Sequence, residues 1–171
     1  MKTELLNTQG EKTYAVIFDK GDEVIAGLQT FANEHDDATY EIVGIGAFSD
    51  VTLGYFDRDR KDYTKIPLDE QVEALSLVGN IARADGKPKV HVHVVIGKSD
   101  GSAWGGHILA AHVWPTLELI VTEAPAHLRR TTDPETGLAL IDIRASRAVS
   151  PTGRTRDGQI EVQLRPVGAG G

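Results

Sequence analysis

The sequence contains no cysteine, so disulfide staples and thiolate metal ligands are excluded. No run of about 18 apolar residues occurs, which excludes a transmembrane helix read from hydropathy. Residues 1–7 have neither the apolar run nor the cleavage site of a signal peptide, and a cytoplasmic, soluble protein is expected. Phosphate loop, dinucleotide fingerprint and Ser-His-Asp pattern are all missing. No internal repeat is visible. Positive charge is in short supply, with 18 Lys and Arg against 25 Asp and Glu and a net charge of −7. It is also uneven. Residues 144–171 hold five arginines against Asp157 and Glu161, a local +3, which leaves −10 on residues 1–143. An acidic body repels a phosphate backbone at long range unless its cations gather on one face.

At 171 residues the chain is long enough for one domain with its own core. Residues 12–19 read as a first strand. Lys20-Gly21-Asp22 reads as a turn with Asp22 as helix cap. Val24, Ile25, Leu28, Phe31 and Ala32 then recur at helical spacing over residues 23–35, with His35 at the helix end as a dipole partner. Tyr40–Phe48 and Val51–Phe56 read as two strands of a hairpin turning at Ser49-Asp50. Residues 57–62 read as a solvated loop of mixed charge. Residues 72–81 read as a strand bent at Gly79, and residues 116–123 as the last of the apolar strands. Asp85-Gly86 and Asp100-Gly101 are turn signals on either side of a histidine-bearing strand. Strands outnumber helices, so the expected class is α+β, a single domain with a mainly antiparallel sheet and one principal helix. Residues 1–144 form the expected domain. Residues 145–171 read as an Arg/Gly/Pro-containing tail, flexible over 145–157, with a short strand possible at Gln159–Leu164.

The histidines carry the chemistry. Val90, Val92, Val94 and Ile96 alternate onto one strand face, and His91, His93 and Val95 onto the other. Residues two apart on one face lie about 6.5–7 Å apart, close enough for two imidazoles to share one ion. A third imidazole from a neighbouring segment would complete a site with one coordination position open. A polar or interface pair is the plain alternative. His107 follows Gly105-Gly106. His112 is a second candidate for the third ligand, with a core or surface role as its alternative, and a solvated role is read for His127 beside Arg129 and Arg130. Trp104 and Trp114 flank the Gly-Gly-His turn as packing or interface residues. Glu118 is either a buried carboxylate that orients an imidazole or a residue on a wet face.

The ordered segments resemble the PPC domain, the plants and prokaryotes conserved module, over roughly residues 11–143. They are Gly21-Asp22-Glu23-Val24-Ile25, then Gly44-Ile45-Gly46-Ala47-Phe48 through Gly54-Tyr55-Phe56-Asp57, then Glu73-Ala74-Leu75-Ser76-Leu77-Val78-Gly79-Asn80-Ile81. His91-Val92-His93, Asp100-Gly101, Gly105-Gly106-His107-Ile108-Leu109 and Asp133-Pro134-Glu135-Thr136-Gly137-Leu138 follow. The resemblance implies a homotrimer and a histidine metal site near a subunit boundary. It assigns the ligands to His91, His93 and His107. Zinc suits neutral imidazoles, and nickel or copper would also fit.

Two functional readings follow. The first is a DNA-associated or regulatory module, by family analogy. The chain lacks the Arg-Gly-Arg-Pro AT-hook of the plant proteins, and Gly153-Arg154-Thr155-Arg156 is a loose echo of it. The second is a zinc-dependent enzyme acting on a small molecule through metal-activated water, with Glu73, Glu118 or Glu123 as the base.

Overall fold

The computed structural model describes residues 1–7, 10–35, 39–124 and 128–147. His127 and Gln159–Leu164 lie outside them. Nine strands and two helices follow in the order β1 (Lys2–Asn7), β2 (Thr13–Phe18), α1 (Val24–Glu34), β3 (Tyr40–Asp57), β4 (Asp62–Leu68), β5 (Val72–Ala84), β6 (Lys87–Gly97), β7 (Ala103–Glu123), β8 (Arg129–Thr132), β9 (Ala139–Ile141) and α2 (Ile143–Arg147). The class is the expected one, α+β with a mainly antiparallel sheet and one main helix. Among the described residues the exception to antiparallel pairing is β5 with β8.

The strands share one sheet in the order β1-β2-β7-β3-β5-β8-β9. β4 pairs with β3, and β6 bridges β5 and β7. The pairings β3–β5, β5–β6, β6–β7 and β7–β3 therefore close a ring. Period-two alternation drives this arrangement. Tyr14, Val16 and Phe18 of β2, Val92, Val94 and Ile96 of β6, and Leu117, Leu119 and Val121 of β7 all point into one core. α1 closes that core with Val24, Leu28 and Phe31, each fully buried.

The helix starts one residue later than its periodicity indicates, and its cap differs. Glu23, not Asp22, is the cap, and its Oε2 accepts the Ala26 N–H at 2.6 Å. Its Oε1 accepts the Ala111 N–H at 3.2 Å, which ties the helix start to β7. Asp22 instead accepts the Asp19 N–H and pairs with the N-terminal ammonium. His35 fills its expected place, with Nδ1 2.8 Å from the Phe31 carbonyl oxygen.

Four strand readings need correction. The Gly-Gly-His segment is not a turn, because β7 runs unbroken from Ala103 to Glu123. Ser49-Asp50 is not a turn, because β3 runs straight through it. The polar side chains are satisfied where they lie: Ser49 Oγ donates to the His112 carbonyl at 3.3 Å, and Asp50 Oδ1 meets His112 Nδ1 at 2.8 Å. The loop assigned to residues 57–62 is a four-residue turn, closed by Lys61 at φ 51° and leading straight into β4. β5 carries its irregularity between Ala74 and Ser76, not at Gly79. Gly79 has another use. A Cβ there would lie 2.4 Å from the His91 carbonyl oxygen, so glycine lets β5 and β6 approach. The Asp85-Gly86 turn joining them is as read, with φ 49° and 76°, both left-handed.

α2 runs Ile143–Arg147, three residues past the expected boundary at 144. Ser146 Oγ accepts the Arg129 N–H at 2.9 Å and so ties α2 to β8.

Candidate metal centre

The β5–β6 hairpin and the start of β7 bring the three histidines together. His93 and His107 are direct partners across β6 and β7, and His91 lies two residues from His93 on the same face. Gly106 lets β7 come this close to β3, since a Cβ there would stand 3.0 Å from the Gly54 carbonyl oxygen. His91 Nε2 and His93 Nε2 are 3.1 Å apart. One ligating atom from each of the three rings lies within 4.8 Å of the others. A tetrahedral ion with bonds of about 2.0–2.1 Å sets its nitrogens about 3.3 Å apart. The cluster brackets that spacing, so small ring rotations would seat an ion.

The donor set also fits. His107 Nδ1 is buried without a hydrogen-bond partner among the described residues, an uncompensated polar atom of the kind a ligand would satisfy. Tyr63 of β4 stacks on the His107 ring at 4.9 Å between centroids and holds its plane. Burial lowers the pKa of all three imidazoles, and for His107 the neighbouring His91 and His93 lower it further, to about 4. The rings are therefore neutral near pH 7 and able to ligate.

The other candidates stand apart. His112 pairs with Asp50 at 2.8 Å, and that hydrogen bond raises its pKa. Glu118 is exposed, as its place in the strand alternation allows, and the reading of it as a buried partner to an imidazole falls away. Glu73 is exposed too. Glu123 accepts the Lys12 N–H. Trp104 and Trp114 are partly exposed and lie under cations, Lys98 over the first and Lys20 over the second.

Arg130 is the residue that sequence reasoning misplaces, by grouping it with a solvated basic stretch. It is 7 % exposed. Parallel pairing of β8 with β5 sets its guanidinium beside the histidines. Nη2 donates to Asn80 Oδ1 at 2.6 Å and lies 3.4 Å from His91 Nδ1, and Nη1 donates to the Ala139 carbonyl at 2.8 Å. No signal in the sequence separates it from Arg129, whose neighbour-to-neighbour alternation alone turns it outward.

The His93 side of the cluster adjoins an uncovered apolar surface. His93 pairs with Val78, Val78 lies beside Val43, and Val43 beside Ile120. Val78, Val43 and Ile120, with Ile45, Leu75 and Val95, are between 42 and 61 % exposed.

The chain belongs to the Plants and Prokaryotes Conserved (PCC) domain family, whose profile matches residues 6–125. Among solved structures it is similar to a PPC protein from Pyrococcus horikoshii, at 30% identity and TM-score 0.71, covering 82% of this chain and 94% of that one. A metal-containing protein from Archaeoglobus fulgidus is 33% identical with TM-score 0.69, over 82% of this chain and 96% of that one. A Bacteroides thetaiotaomicron protein provisionally called DNA-binding is 28% identical with TM-score 0.74, over 83% of this chain and 98% of that one. Among curated proteins the chain is 27% identical over 157 residues to the bifunctional protein GlmU of Synechococcus sp. (strain JA-3-3Ab), and it spans about a quarter of that protein's length. Among the described residues no helix is long and apolar enough to cross a membrane.

Proposed function

We propose that this chain is a homotrimeric, metal-binding PCC domain with a DNA-associated regulatory role, its ion held by His91, His93 and His107 near a subunit boundary. The observation that carries the metal is the clustering of three neutral imidazoles, one of them with a buried partnerless nitrogen. The metal-containing Archaeoglobus relative supports it. The absence of cysteine leaves an all-imidazole donor set, for which zinc is the first choice. The trimer reading rests on the exposed apolar sheet face. A surface of six exposed large apolar residues, three of them direct cross-strand neighbours, is a liability on an isolated subunit and a core once covered by copies of itself. Because His93 borders that face, the metal would sit close to the boundary.

The DNA reading rests on the name of the Bacteroides relative. Three basic tails on one trimer would add their weak phosphate contacts through avidity. A gel shift across salt concentrations tests it. The intact protein should retard DNA at low salt and lose that retardation steeply as salt rises. Free DNA at every salt concentration would remove the role.

One observation favours a second reading, a zinc-dependent enzyme. A cavity opens beside His91 and His107. Zinc held by three imidazoles keeps a fourth position for water, which it acidifies toward pH 7. No carboxylate is positioned at the cluster among the described residues to act as base, so the regulatory reading is preferred.

A further inference from the structure

A cavity of about 150 Å3 lies against the histidine cluster. Tyr63, Lys89, His91, His107 and Arg130 form its polar lining, and Val90 with Leu138–Leu140 its apolar wall. No acidic side chain lines it among the described residues. Arg130 is buried with three N–H contacts, two of them to neutral oxygens and one to an imidazole. Its Nε has no hydrogen-bond partner, and no carboxylate pairs with the guanidinium among the described residues. Arginine stays charged in proteins. A guanidinium taken out of water without a counter-ion is costly, and such groups are normally paired. A second cation, the exposed Lys89, lines the same cavity.

We propose that this cavity is a binding site for a small carboxylate, whose negative charge is neutralised by Arg130 and Lys89 and whose short apolar body rests on Leu138–Leu140. Size sets the upper limit. A cavity of about 150 Å3 holds a molecule near the size of benzene, so an acid of a few carbons fits and a nucleotide or peptide does not. The apolar wall selects a carboxylate with a hydrocarbon end over a phosphate, whose oxygens all need partners. This inference extends the metal reading, since His91 and His107, two of the proposed ligands, line the same cavity. Arg130, however, needs its anion whether or not an ion is bound.

The test is a titration of the full chain with sodium propionate, followed by the methyl resonances of Leu138 and Leu140. Propionamide, its uncharged counterpart, and inorganic phosphate are titrated alongside, with and without zinc. The expected result is saturable binding of propionate on the order of millimolar, as few atoms allow, with propionamide at least about tenfold weaker. Arg130→Gln should abolish it. Because that variant loses the bonds to Asn80 and Ala139 and could unfold, Lys89→Gln is tested in parallel and should weaken binding several-fold. Binding of propionate to the metal-free chain would uphold the site, and failure of zinc to bind the same protein would sink the metal reading alone. Binding that requires zinc and ignores both substitutions would overturn the Arg130 site and leave the metal standing. Equal affinity for propionamide, a preference for phosphate, or no binding of any probe would overturn the carboxylate assignment.

Discussion

His93 and His107 face each other as direct partners across β6 and β7, while His91 Nε2 lies 3.1 Å from His93 Nε2. Two adjacent strands thus carry three imidazoles to one point, and strand pairing rather than a flexible loop fixes their separation. A site on rigid elements is pre-organised, so little ordering is needed when a ligand binds.

Protonation should work against this cluster. The folded-state pKa of His107 is about 4, against an ordinary value of 6.5. Between these pH values the unfolded chain binds more protons than the folded one, so stability rises with pH. The contribution of His107 to metal-free stability should therefore be complete above about pH 6.5 and be lost as pH falls toward 4. Thermal midpoints across that range check this. A flat profile, or the same slope in His107→Gln, would contradict it.

The backbone clearance at Gly79 is a second point of attack. Gly79→Ala pushes a methyl against the His91 carbonyl and the Val92 backbone. We expect a loss of about 1–3 kcal/mol in stability, the usual cost of overpacking, together with weaker zinc binding, because β6 must shift. Denaturant melts and metal titration of the same variant measure both. Unchanged values would mean that β5 and β6 have slack.

The exposed sheet face predicts self-association. Light scattering should give three times the chain mass at micromolar concentration. Val78→Lys and Ile45→Lys, at positions 50 and 61 % exposed, should dissociate the assembly while leaving each subunit folded. A monomeric mass for the unsubstituted protein would overturn the trimer.

Truncation separates α2 from the residues beyond it. A chain ending at Arg144 loses Ser146, which accepts from the Arg129 N–H and holds the β8 region. A chain ending at Arg147 keeps it. The longer truncation product should melt like the full chain, and the shorter one should melt lower by a few degrees, as a lost hydrogen bond of about 1 kcal/mol implies. Identical midpoints would show that α2 adds nothing.

The histidine pair is legible in the sequence because it depends on local alternation. Val92, Val94 and Ile96 mark the inward face, and His91 and His93 must then face outward. The third ligand is harder to read, since nothing local separates His107 from His112; it came from the family resemblance. Arg130 is illegible for a stronger reason. Its burial depends on a short parallel pairing with β5, and its partner Asn80 is fifty residues away. The Ser49-Asp50 misreading has the opposite cause. Turn-forming residues sit inside a long strand because His112, on the neighbouring strand, satisfies both side chains.

Metal content per subunit after dialysis against a weak chelator tests the central claim most directly. The unsubstituted protein should retain one zinc per chain, and His91→Ala, His93→Ala and His107→Ala should each lose most of it, while His35→Ala and His112→Ala keep it. Full retention in His93→Ala, or loss confined to His112→Ala, would contradict the site.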